Sequence, residues 1–206
     1  MKNIKVNIHS SICIDNDIYI DPYQITEHKK NAKAIFITHS HYDHLDMPSI
    51  NNISTSDTVI IAPRDCVQVL KEEGYQDENL IEVMPNESGK VYDIDYETFA
   101  SYNINKPFHP KAKNWVGYKL LIDGTYYTIC GDSDDTEVLE SLKTDVLFVP
   151  IGGTYTMTAE EAAHLTNIIM PKVVVPIHYG SIVGNKKDGL TFSKLINSNT
   201  RVVLLI

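Results

Sequence analysis

Residues 39–44 read His39-Ser40-His41-Tyr42-Asp43-His44, three imidazoles and a carboxylate within six positions. Nitrogen and oxygen donors at that density suit a metal centre rather than packing. The apolar run AIFIT at 34–38 leads straight into them, so the block lies at the end of a buried strand, where loops carry functional groups. In an extended stretch, side chains two apart share a side, which lets His39 and His41 converge on one ion. A turn toward a helix after them swings Asp43 and His44 toward a second. Two neighbouring ions need further donors, and the sequence offers three, each at the end of a strand-like run: His109 in KPFHP (106–110), Asp132 after Cys130-Gly131, and His178 in PIHYG (176–180).

The elements that must position these groups are legible as alternation and punctuation. Residues 4–21 alternate Ile/Val with polar residues around an Asn16-Asp17 turn signal and predict a hairpin. The apolar runs at 34–38 and 58–62 predict strands buried on both faces. A short helix over 65–73 ends at Gly74, and residues 80–103 supply three strand-like pieces. Residues 116–122 and 126–130 flank Asp123-Gly124, a strong hairpin signal. Beyond them the chain alternates: helix 138–142, strand 146–150, helix 158–170, strand 173–177, helix 190–197, strand 202–206. Thr158 with Glu161 three residues on forms a capping box, and Pro171 stops that helix. The expectation is one domain, residues 1–206, made of two β-rich halves with helices outside.

Eighteen Lys+Arg against 27 Asp+Glu give 18 − 27 = −9. That balance argues against nucleic acid as a partner, because phosphate neutralisation supplies most of such affinity. Three cysteines are too few and too odd in number for a disulfide framework and suit a reducing compartment. With no signal-like segment and no window apolar enough for a membrane span, the expectation is a soluble cytoplasmic protein acting on a small molecule. Its oligomeric state is not readable. His9, His28 and His164 read as surface or packing residues, and Cys130 as a buried small hydrophobe rather than a ligand. Within the acidic run 132–137 only Asp132 is singled out as a ligand, with Asp134 a candidate supporting group. Lys106 and Lys111 around His109, Tyr155 and Thr156 after the Gly152-Gly153 turn, and Tyr179 after His178 are the expected substrate contacts, the lysines suiting a carboxylate or phosphate.

The block from Thr38 to Asp46 resembles the HxHxDH signature of the metallo-β-lactamase fold, and His109, Asp132 and His178 follow in that family's order. The resemblance covers essentially the whole chain and is closest to the compact single-domain metal-dependent hydrolases that include ascorbate-6-phosphate lactonase. It implies a four-layer αββα sandwich with an α/β element order. It also implies that His39, His41 and His109 hold one metal, that Asp43, His44 and His178 hold the other, and that Asp132 bridges them. Zinc is the first expectation, with manganese or iron as alternatives. The chemistry implied is hydrolysis of a lactone, amide or phosphoester in a small, anionic substrate by a metal-bridging hydroxide, with Asp43 catalytic as the group that orients it or takes its proton. His41 stands where the family's diiron reductases carry Glu, which favours hydrolysis over redox chemistry. The alternatives are a phosphodiesterase or nuclease of the same fold and a non-catalytic metal-binding protein on it.

Overall fold

In a computed structural model that describes residues 2–206, the alternating N-terminal segment forms three short strands, β1 (Ile4–Val6), β2 (Ile12–Ile14) and β3 (Ile18–Ile20), paired antiparallel. The apolar runs that follow form β4 (Ala34–Phe36) and β5 (Val59–Pro63), and β6 (Leu80–Val83) completes a six-stranded sheet in the order β1-β2-β3-β4-β5-β6, parallel from β3 onward. Helices α1 (Met47–Ile53) and α2 (Arg64–Glu72) link the parallel strands. Alternate residues of two strands, Ile35 and Ile37, then Ile60 and Ala62, share one apolar cluster with Ile50 and Ile53 of α1 and with Cys66, Val67 and Leu70 of α2. The period-2 pattern of the strands and the amphipathic turns of the helices thus meet on a single face. This unit ends at Met84.

The unit from Pro85 to Ile206 is built on a seven-stranded sheet in the order β13-β12-β11-β10-β9-β8-β7. Its antiparallel part is β7 (Ser88–Val91), β8 (Ile94–Ala100), β9 (Val116–Ile122) and β10 (Thr125–Ile129), with Asp123-Gly124 closing the β9–β10 hairpin as its turn chemistry predicts. Strands β11 (Val146–Pro150), β12 (Val173–Ile177) and β13 (Arg201–Val202) extend it in parallel. Helices α3 (Glu137–Glu140), α4 (Ala159–Ile169) and α5 (Lys186–Leu195) alternate with these strands. Leu147 and Val149 of β11 and Ile151 just past its end pack with Ala162, Ala163 and Leu165 of α4 and Phe192 of α5. Among the described residues, no helix is long and apolar enough to cross a membrane.

Two boundaries differ most from expectation. The strand read over 202–206 shrinks to two residues, because it is the sheet edge and only Val173 and Val174 of β12 pair with it. The last helix starts four residues earlier than 190, at Lys186, where Asn185 and Asp188 form a capping box that a Ser/Thr-x-x-Glu search passes over. Of the three strand-like pieces in 80–103, β6 joins the first sheet while β7 and β8 join the second.

The capping box at the start of α4 is present as read: the Thr158 hydroxyl accepts from Glu161 N–H, and the Glu161 carboxylate accepts from Thr158 N–H at 2.8 Å. Replacing Thr158 with Ala leaves Glu161 N–H without that acceptor and is expected to lower unfolding stability by about 1 kcal/mol. A urea titration followed by circular dichroism, with a lowered midpoint at unchanged slope, checks it.

Candidate metal centre

In the first unit the polar block is organised from beneath by Asp21, a residue just past β3 that is 1% exposed. Asp21 Oδ1 accepts Thr38 N–H at 2.8 Å, and Oδ2 accepts both the Thr38 hydroxyl at 2.7 Å and His44 Nδ1–H at 2.8 Å. Since the Thr38 hydroxyl donates to Asp21, it accepts from His39 Nδ1–H at 2.9 Å. One carboxylate thereby fixes the tautomer of two imidazoles, leaving His39 Nε2 and His44 Nε2 as the acceptor nitrogens. His39 Nε2 lies 2.9 Å from His41 Nδ1, and the His39 and His44 rings stand 3.9 Å apart.

The next member is one that sequence reasoning set aside. His9 is fully buried, and its Nε2–H donates to Asp43 Oδ2 at 3.1 Å. Ligand atoms of His9, Asp43 and His44 lie within 4.8 Å of one another. His9 reads as a strand residue in IKVNIHSS, but it occupies a tight turn between β1 and β2, with φ of +57° and Ser11 N–H bonded to Ile8 C=O. That reverses its side chain into the interior. The weak signal available was a histidine in a Ser-rich turn between two short strands.

In the second unit, His109 is buried with its ring 4.5 Å from Trp115, and its Nε2–H points to the Ser101 hydroxyl at 3.4 Å, which itself donates to Cys130 C=O. Nδ1 is then the ligand-side nitrogen of His109. Ligand atoms of His109 and Asp132 lie within 4.8 Å of each other, and Asp132 Oδ2 is 3.1 Å from His178 Nε2. Gly131, at φ +62°, turns the chain out of β10 so that Asp132 follows, a conformation that would strain a side-chain-bearing residue. Gly152 serves His178 by closeness: a Cβ there would stand 2.3 Å from His178 C=O. His178 itself adopts a left-handed φ of +59° directly after β12.

The remaining sequence candidates fall elsewhere. Tyr179 is 1% exposed and packs in the core against Gly189 of α5, because the left-handed turn at His178 sends the next residue inward. Thr156 is also buried, its hydroxyl bonded to Met157 C=O. Both are enclosed rather than presented on an open loop as the sequence suggested. Lys106 pairs with the Asp134 carboxylate, which also accepts Ile104 N–H at 2.9 Å, so both residues brace the 101–114 loop. Lys111 lies 4.7 Å over the Tyr102 ring, and Tyr155 stands half-exposed against Phe108. Cys130 sits in the apolar cluster of β11 and α4, where burial and then the nearby Asp135 charge push its thiol far up, the opposite of what a thiolate ligand needs. His164 and His28 are exposed, His164 beside Asp135. The donors gathered in each unit are imidazole nitrogens and carboxylate oxygens, mostly buried, a chemistry that fits a divalent ion.

Comparison with known proteins agrees with this donor chemistry. Residues 15–179 match the family described as the beta-lactamase superfamily domain. A UPF0173 protein of Pyrococcus abyssi is 30% identical over 177 residues, spanning 84% of this chain and 79% of its own. A UPF0173 metal-dependent hydrolase of the same organism is 28% identical, spanning 100% and 96%. Among solved structures, a candidate metal-dependent hydrolase from Parabacteroides distasonis superposes with a TM-score of 0.83 at 29% identity, over 98% of this chain and 91% of that one. The metallo hydrolase Igni18 of Ignicoccus hospitalis gives 0.77 at 21% identity over 98% and 93%, a likeness of fold. The chain belongs to the β-lactamase superfamily and has the α/β metallo-β-lactamase fold that its signature implied. Within that family it is a metal-dependent hydrolase.

Asp21 is the residue whose loss tests the first half-site. In Asp21→Asn, one acceptor oxygen becomes an NH₂ donor facing Thr38 or His44. Metal affinity, measured by competition with a chromophoric chelator, is expected to fall by roughly 10–100-fold.

Proposed function

We propose that His39, His41 and His109 hold one divalent ion and that Asp43, His44 and His178 hold a second, with Asp132 shared between them, and that the protein hydrolyses a small substrate there. Zinc is the first expectation from so many imidazoles, with manganese or iron compatible with the same donors. The observation that carries the reading is the Asp21 network, which spends a buried carboxylate on fixing the tautomers of His39 and His44. Packing alone has no use for that, whereas a metal centre needs those two Nε2 lone pairs aimed and ready. Bound divalent ions would supply electrophilic polarisation of the scissile bond and make a water acidic enough to attack near neutral pH.

The chain's own groups do the rest. Asp43, steadied at Oδ2 by His9, orients the attacking water and takes up its proton. Ser101 and Trp115 hold the His109 ring in place, and Asn103, donating to Asp132 C=O at 3.0 Å, keeps the Asp132 loop beside it. The bond cut is that of a lactone, amide or phosphoester. The −9 charge continues to disfavour nucleic acid. A cytoplasmic site of action is proposed with it, supported by three cysteines, none in a disulfide.

Elemental analysis of the purified protein is expected to give about two metals per chain, falling below about one in the His41→Ala/Asp132→Ala double variant. Content holding near two in that variant would refute the ligand assignment. With Zn²⁺ or Mn²⁺ restored, a panel of lactones, amides and bis-(p-nitrophenyl) phosphate should reveal turnover that the double variant lacks, while single-stranded and tRNA-like substrates stay uncut.

A further inference from the structure

We infer that Phe108 and Tyr155, with Ile104 on the same loop as Phe108, form the subsite that selects the substrate, and that the group they take is a neutral aryl or branched alkyl substituent rather than a carboxylate or phosphate. The inference rests on the hydrolase reading above and deepens it.

Two loops of the second unit meet in this pair. Phe108 directly precedes His109, and Tyr155 lies three residues after Gly152, whose backbone is pressed against His178. The two rings stand edge to face, 4.7 Å apart at 89°. They therefore join the loop that carries one imidazole to the loop that lies on the other. Both remain open to solvent, Phe108 43% and Tyr155 37% exposed, and Ile104 on the His109 loop is 57% exposed. Scattered apolar residues at a surface are ordinary, but a paired set on the two loops bordering the proposed ligands offers a face that only an apolar group completes. An edge-to-face pair leaves part of each ring surface open to a further ring or alkyl chain.

The charges of the same loop point the same way. Its three lysines are engaged: Lys106 with Asp134, Lys111 over the Tyr102 ring and Lys113 5.5 Å over the Trp115 ring. Lys106 is further fixed because its partner also holds the Ile104 backbone, so turning it to a ligand would release the loop. Lys106, the lysine nearest Phe108 in sequence, is thus already matched by a carboxylate. The expectation that Lys106 meets an anionic group loses support from that pairing.

The test uses the metal-loaded protein and two ketones without a hydrolysable bond, 3-phenylcyclopentanone and 3-oxocyclopentanecarboxylate, titrated by calorimetry. The phenyl ketone is expected to bind at least ten-fold more tightly than the carboxylate. Phe108→Ala/Tyr155→Ala should erase that preference, and Phe108→Leu, which keeps an apolar surface, should retain most of it. Tighter binding of the carboxylate, no measurable binding of either ketone, or equal binding of the phenyl ketone to wild type and the double alanine variant would overturn the proposal. The matching γ-phenyl and γ-carboxyl butyrolactones are assayed in parallel. Preferred binding of the phenyl ketone without lactone turnover would count against a lactone-hydrolysing reading and leave the subsite standing, whereas turnover favouring the carboxyl lactone would remove the subsite alone.

Discussion

A carboxylate sealed from water is a liability unless its lone pairs are met, since an isolated buried charge costs several kcal/mol even after relaxation. Asp21 meets that constraint with three donors, and the way it does so shapes the first unit. Two of the donors come from Thr38, across the β3–β4 pairing, and the third from His44 on the loop beyond. The register Ile18↔Ala34, Tyr19↔Ile35, Ile20↔Phe36, extended by Asp21 N–H to Phe36 C=O, brings Asp21 to Thr38. A slip of one residue would turn the carboxylate to the other face and leave both histidines without their fixed tautomers. Strand pairing, burial of the acid and aim of the imidazoles are therefore one interaction seen at three scales.

The second unit solves the same problem with different parts. The segments that carry its proposed ligands are a long loop and two strand ends, none of which would hold still on strand hydrogen bonds alone. Asp134 ties the loop down through Ile104 N–H and Lys106, Asn103 donates to Asp132 C=O while its own N–H bonds His109 C=O, and Ser101 links His109 to Cys130. Buried polar side chains are spent on backbone groups, which converts a flexible connection into a fixed support. The cost is concentrated where the proposed ligands lie, as expected for groups held ready before anything binds.

How much of this a sequence can disclose depends on the range of the interaction. The HxHxDH block was legible because its donors lie within six residues and follow an apolar run, and the hairpin and the Thr158 capping box are equally local. Asp21 and His9 were not, since each acts on partners 17 or more residues away and is recruited by strand pairing or a left-handed turn that local periodicity does not show. Lys106 and Tyr179 were singled out by the complementary reasoning, that adjacency in sequence to a proposed ligand suggests adjacency in function. A distant carboxylate had claimed one, and a positive φ at His178 had rotated the other into the core. Family resemblance ordered His109, Asp132 and His178, which single residues at strand ends could not have done alone.

The division between buried polar and exposed apolar groups also separates what must stay constant from what can change. Thr38 and His44 both bond Asp21, so a substitution at any of the three strands a buried donor or acceptor and is felt in stability as well as in the aim of the imidazoles. Ile104, Phe108 and Tyr155 carry no such obligation. They sit on the solvent side of loops already braced by Asp134 and Gly152, and surface substitutions there cost little in folding. A fold arranged this way can hold its donors fixed while the side chains proposed to meet the substrate are exchanged at little cost in folding, so the proposed chemistry is read from the buried carboxylate and the proposed substrate from the two exposed rings.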